Sequence, residues 1–165
     1  MTRFVLGKSG INSLSILGIN PSTADEYNSD PTMDKIEHLI GAWSFNGFLM
    51  FNLYPLRASK PKNLPSDNDA ELVRQNAKLI RKEMEKSKVH LVWAAWGDAF
   101  DEHSYLKACL EEILSKTRGL NLTWKRCESL TKSRNPRHPL SGQPHIITKY
   151  SRLVDFDVED YLRSK

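Results

Sequence analysis

Four short segments carry the side chains best equipped for chemistry. They are Gly18-Ile19-Asn20-Pro21-Ser22-Thr23-Ala24-Asp25, Asn52-Leu53-Tyr54-Pro55-Leu56-Arg57-Ala58, Trp96-Gly97-Asp98 and Asn135-Pro136-Arg137-His138-Pro139-Leu140-Ser141. Together they offer three amides (Asn20, Asn52, Asn135), two carboxylates (Asp25, Asp98), two guanidinium groups (Arg57, Arg137) and one imidazole (His138), on backbones stiffened by proline or opened by glycine. That inventory can hold a polar, phosphate-bearing ligand and move a proton. An amide at Asn20 can orient a water but cannot take its proton, which makes Asp25 the better candidate base. Between Lys116 and Arg137 the basic residues Lys116, Arg118, Lys125, Arg126, Lys132, Arg134 and Arg137 meet a single acid, Glu128. Beside His138 this run suits a phosphate-backbone track, as does the basic loop with Arg57, Lys60 and Lys62.

The elements that must position these segments follow from hydrophobic pattern. Ser13 to Ile19, Phe48 to Leu53 and Val89 to Ala95 are short apolar runs bounded by Pro or Gly, and they read as buried strands. Leu120, Leu122 and Trp124 alternate with polar residues and predict a fourth strand. Between them the helical period recurs. Asp30-Pro31 offers a cap and a first-turn proline ahead of Met33, Ile36, Leu39, Ile40 and Trp43, in a helix ending near Asn46-Gly47. A second helix carries Leu72, Leu79, Ile80 and Met84. A third runs through Phe100, Leu106, Cys109, Leu110, Ile113 and Leu114 and is closed by Arg118-Gly119. Val158 to Leu162 suggests a short terminal helix. Strands alternating with helices predict a three-layer α/β/α domain with a central, mostly parallel four-stranded sheet. In such sheets ligands sit beyond the carboxyl ends of the strands, where all four segments fall.

The chain has 165 residues, room for one domain spanning 1–165. Hydrophobic residues at 39%, with 4 Trp, 5 Tyr and 6 Phe, exclude a disordered class. A net charge of +4 permits a polyanionic partner without requiring one. Two cysteines, Cys109 and Cys127, make neither a disulfide framework nor a metal motif, and His38, His90, His103 and His145 show no ligand spacing, so no metal and no cofactor are expected. No apolar stretch is long enough to cross a bilayer and no leader pattern opens the chain, so a soluble, cytoplasmic protein is expected.

The ordered motifs Gly-Ile-Asn-Pro, Phe-Asn-Leu-Tyr-Pro-Leu-Arg-Ala, Leu-Val-Trp-Ala-Ala-Trp-Gly and His-Pro-Leu-Ser, from about Ser13 to Ser141, resemble those of the uracil-DNA glycosylase superfamily. More closely, Asn-Pro-Ser-Thr-Ala-Asp with Asp30-Pro31-Thr32, Asn52-Leu53, Ala95-Trp96-Gly97 and Pro136-Arg137-His138-Pro139-Leu140 resemble domain of unknown function family 1643, a bacterial and phage-associated family. The glycosylase resemblance implies that Asn20 holds the attacking water and Asn52 reads the edge of an extruded base. It further implies that His138 stabilises charge on the departing base and that Leu140 fills the stack. Pro21, Ser22, Arg57, Gly97 and Arg137 would complete the substrate contacts. Two departures from the glycosylase pattern stand out. His138-Pro139-Leu140-Ser141 is two residues shorter than the superfamily's His-Pro-Ser-Pro-Leu-Ser, and Ser22 replaces a pocket aromatic, leaving Tyr27, Phe45 and Tyr54 as stacking candidates.

Plainer roles exist for the same residues. Asn20-Pro21 suits an Asx-type turn, Asn52 a satisfied core amide, His138 a stiff surface loop, and Asp25 or Asp98 a helix cap. Trp43 and Trp124 suit the core. The expectation is a uracil-DNA-glycosylase-like protein that binds nucleic acid or a nucleotide and hydrolyses an N-glycosidic bond. The alternatives are a non-catalytic binding module, or an enzyme on a small phosphorylated nucleotide clamped by Arg57 and Arg137.

Overall fold

Continuous apolar runs with no helical period become strands buried on both faces, because each strand must satisfy its backbone through neighbours while shedding apolar surface above and below. The computed structural model describes residues 1–22, 29–142 and 146–165. Among them are six strands: β1 (Leu6–Lys8), β2 (Ser13–Gly18), β3 (Gly47–Asn52), β4 (Leu91–Ala94), β5 (Thr123–Cys127) and β6 (Leu153–Asp155). They form one sheet in the order β1-β3-β2-β4-β5-β6. The pairs β2–β3, β2–β4 and β4–β5 are parallel, while β1 on β3 and β6 on β5 are antiparallel.

The class is therefore α/β, and the expected sheet of four strands is corrected to a mixed sheet of six. Both additions are three residues long and only partly buried, too short to show a period. They exist through distant pairing, Leu6 opposite Met50 and Leu153 opposite Cys127. The fourth expected strand also moves. Leu120 and Leu122 precede β5, and Asn121 adopts a φ of 51° that breaks an extended run.

The described helices are α1 (Pro31–Ala42), α2 (Ala70–Ser87), α3 (Tyr105–Thr117) and α4 (Val158–Ser164). Three of them start at aspartates whose side chains accept backbone N–H groups: Asp30 from Met33, Asp69 from Glu71 and Leu72, and Asp157 from Asp160. Helix α1 stops short of Asn46, since Ser44 takes a φ of 64° that no α-helix continues. Phe100 lies in a 3-10 turn (Asp98–Glu102) rather than in α3.

Alternation along the strands splits the core in two. Leu14, Ile16, Phe48, Met50 and Trp93 face α1 through Met33, Ile36, Leu39 and Ile40. Leu17, Phe51, Val92, Ala94 and Trp96 face residues of α2, α3 and α4. Trp43 and Trp124 are partly buried against these clusters. Trp43 meets Trp93 edge-on at 5.2 Å and donates its Nε1–H to the Ser151 carbonyl at 2.8 Å. Trp124 meets Trp96 edge-on at 6.4 Å.

Both cysteines are buried, and burial pushes each thiol up to about 12. A thiol raised in the folded state contributes stability that is fully present below its unfolded value. That contribution is lost as pH rises through the folded value. Iodoacetamide at pH 8 is accordingly expected to leave both thiols unmodified in the native protein and to modify both in concentrated urea. Mass spectrometry reads the difference, and rapid native modification of either residue would refute its sealed position. Among the described residues no helix is long and apolar enough to cross a membrane.

Candidate functional site

In chain order the parallel core runs from β2 to β3 on one side and then back across to β4 on the other, so the winding direction reverses between β2 and β4. At such a reversal the two connections leave in opposite directions and a crevice opens beyond the carboxyl ends. A pocket of about 310 Å³ lies there, within the range of small-ligand sites. Its wall takes Gly18, Asn20 and Ser22 from the segment after β2, and Asn52 from the end of β3. Trp96, Gly97 and Asp98 come from the segment after β4, and His138 from the loop after β5. Four segments far apart in sequence thus meet at one edge.

Asn52 is 2% exposed, and its Oδ1 is buried with no hydrogen-bond partner. A buried amide oxygen left unmade costs about 1–3 kcal/mol, so something else must justify it. Gly18 makes room for it: a Cβ there would stand 3.0 Å from Asn52 Oδ1 and 2.7 Å from the Met50 methyl. Met33 and Met50 add soft apolar surface to the same wall.

Asn20 donates one amide hydrogen to the Pro21 carbonyl at 3.0 Å and the other to the Ala58 carbonyl at 2.9 Å. With both N–H groups spent on backbone, the group it can offer a ligand is Oδ1, a pure acceptor. Ser22 donates its hydroxyl to Asp30 Oδ2, while Asp30 Oδ1 caps α1 through the Met33 N–H at 2.9 Å. Asp30 is 8% exposed and lines the pocket, a buried carboxylate that the sequence presents only as a cap.

His138 sits against Gly97, where a Cβ would approach the His138 Cβ to 2.9 Å. The Leu140 N–H donates to His138 Nδ1 at 3.2 Å. A ring nitrogen that accepts carries no proton, so the neutral imidazole holds its hydrogen on Nε2. Leu140 thus acts on this site through its backbone.

Other sequence candidates fall outside the wall. Pro21 is buried behind it and accepts from the Ala58 N–H at 3.0 Å. Arg57 Nε donates to the Ser22 carbonyl at 3.0 Å, which fixes the segment after β2. Arg137 donates to the Leu130 carbonyl at 3.2 Å and to the Ser129 hydroxyl at 3.3 Å. Arg57 thus holds the segment after β2 and Arg137 its own loop, and neither lines the pocket. Tyr54 is buried and accepts from the Asp69 N–H, and Phe45 packs at the end of α1. Asp25 and the stacking candidate Tyr27 lie outside the described residues.

Sequence reasoning missed Arg3, which reaches the pocket wall because Thr2 bridges Leu56 and the Arg3 N–H donates to the Pro55 carbonyl at 2.9 Å. No local pattern announces that pairing. Asp98 caps no helix: it accepts from the Thr131 hydroxyl and, at 3.1 Å, from Asn135 Nδ2. The basic run is also divided. Lys116 and Arg118 close α3 at the end of the sheet opposite the pocket, and Lys125 pairs with Asp155 at 2.6 Å. Lys60 and Lys62 are exposed beside Ser59 and Pro61 of the pocket wall. Among the described residues no group of three or more His, Cys, Asp and Glu side chains is placed to hold a metal.

No curated protein and no solved structure matches the chain. A family model described as protein of unknown function DUF1643 matches residues 3–140. That span takes in β1 through β5 and every described wall residue of the pocket, and on it the chain belongs to the DUF1643 family.

Proposed function

We propose that this pocket takes the base of a nucleotide or of a nucleic-acid strand, and that the domain is a uracil-DNA-glycosylase-like hydrolase of N-glycosidic bonds. The observation that carries the reading is the Asn52 amide, nine-tenths buried, with an unpartnered oxygen in the wall of a cavity. A planar heterocycle with an N–H beside a carbonyl satisfies such an amide, and the Met33 and Met50 thioethers suit its faces. His138, with its proton on Nε2, donates toward negative charge gathering on the departing base. Asn20 Oδ1 accepts from a water and orients it toward the sugar carbon. The C–N bond breaks, the water oxygen bonds to that carbon, and the proton of the water passes to Asp25 in this reading. Exposed Lys60 and Lys62 at the rim supply phosphate contacts.

One observation favours a second reading, a base-binding module without turnover. Both Asn20 N–H groups hold backbone carbonyls, a use that a purely structural asparagine would share. Release of abasic sites from single- and double-stranded oligonucleotides bearing uracil, hypoxanthine, xanthine or a mismatch separates the two. Hydrolysis is expected to fall at least 100-fold in both Asn20→Ala and His138→Ala while each remains folded. No product from the wild type, together with binding that weakens as salt rises, would replace the hydrolase with the module.

A further inference from the structure

The loop carrying His138 begins at Asn135, and this residue is fully buried. Every polar group of Asn135 is engaged. Its Nδ2 donates to Asp101 Oδ2 at 2.6 Å and to Asp98 Oδ1 at 3.1 Å, and its Oδ1 accepts from the Tyr161 hydroxyl at 2.7 Å. Its backbone N–H donates to the Thr131 hydroxyl at 3.1 Å, and its carbonyl accepts from the Thr131 N–H at 2.9 Å. Tyr161 in turn accepts from Trp96 Nε1 at 3.1 Å, and Lys165 Nζ holds both Asp101 and the Ser133 carbonyl. One residue further along the loop, the Pro136 carbonyl accepts from the Gly97 N–H at 2.9 Å.

These bonds join three things: the end of β4, which supplies Trp96, Gly97 and Asp98 to the pocket; the loop that ends in His138; and helix α4. We infer that Asn135 and Tyr161 are positioning residues for His138, so that α4, outside the span of the family match, sets the imidazole of the pocket through a buried amide. Asn135, Tyr161 and Trp96 are buried, so losing the Tyr161 hydroxyl leaves Asn135 Oδ1 without its donor and Trp96 Nε1 without its acceptor in a medium where that is costly. The Tyr161 ring is locked by Trp96, Phe100 and Phe156, with centroids 5.6, 5.6 and 5.4 Å away. Its hydroxyl therefore has no second position to adopt. Burial holds the phenol above its ordinary value, which keeps it a protonated donor.

The test reads His138 itself and does not depend on which ligand the pocket takes. In nitrogen-15 spectra of the wild type, the His138 ring is expected to show Nδ1 as an acceptor and Nε2 as the protonated nitrogen. Tyr161→Phe keeps the ring and removes the donor. It is expected to move both ring nitrogens toward the averaged positions of an imidazole exchanging between its two neutral forms. Ile80→Val, in α2 and away from the network, serves as a control of similar loss in Tm and is expected to leave both signals in place. If Tyr161→Phe does not fold, Thr131→Val is measured instead, since it removes the hydroxyl that joins Asn135 to Asp98. Unmoved His138 signals in a folded Tyr161→Phe, or in Thr131→Val where that variant stands in, overturn the inference. So does an equal movement in Ile80→Val, which would mark a response to general loosening.

Discussion

Gly97→Ala is expected to lower stability by about 3 kcal/mol and to displace His138 from the pocket wall. Gly97 has φ 69° and ψ −168°, a region that L side chains essentially never adopt. The added Cβ would also meet the His138 Cβ at 2.9 Å and the His138 backbone nitrogen at 3.4 Å. Neither atom can swing away as the end of a long side chain could. The Gly97 N–H is bonded to the Pro136 carbonyl, so the two backbones are held together from the other side. With a urea dependence of about 1–3 kcal/mol/M, the midpoint of unfolding should fall by roughly 1–3 M. A wild-type midpoint with unmoved His138 ring signals would mean that the contact is not the constraint described.

Asn52→Ala should behave in the opposite way on stability and severely on binding. Removing a buried, unpartnered amide oxygen relieves a cost of about 1–3 kcal/mol, which offsets the packing lost with the side chain. The urea midpoint of the free protein is therefore expected to stay the same or rise. Affinity for a nucleobase-bearing ligand is expected to drop at least tenfold, about 1.4 kcal/mol. The Asn52 carbonyl, which accepts from Asn76 Nδ2 at 2.8 Å, belongs to the backbone and survives the change. A variant that lost about 2 kcal/mol of stability and kept its affinity would return Asn52 to the core as an ordinary packing residue. The pair of substitutions thus separates two demands on the same edge: Gly97 serves geometry, and Asn52 bears a cost that a bound ligand would offset.

The parallel core and the capped start of α1 were legible because their signals are local. Pro21 and Gly47 bound runs of apolar residues, and Asp30-Pro31 announces α1 at the residue where it begins. Asn20, Ser22, Asn52, Gly97 and His138 could be placed together from topology alone, since each ends or follows a strand of the parallel core. What was not legible is held by contacts across long stretches of chain. Arg3 comes to the pocket through Thr2 and Leu56, and β6 exists only because β5 is beside it. Arg57 and Arg137 look like anion ligands by type, and only their carbonyl partners reveal that they hold loops instead. Asp98 looks like a cap because it follows a strand, and its acceptance from Asn135, 37 residues away, has no trace in the neighbouring sequence.

The reach of Tyr161 back to Asn135, across 26 residues, also imposes an order in time. At about 5–20 residues per second, synthesis brings out the tyrosine roughly 1–5 s after the asparagine. By then the four parallel strands and the first three helices have all been made, whereas the amide of Asn135 still waits in water for its donor. Vectorial synthesis therefore delivers a nearly complete scaffold first and a correctly aimed imidazole last. A nascent chain halted before α4 would display the crevice with the Asn135 amide oxygen still lacking the Tyr161 hydroxyl.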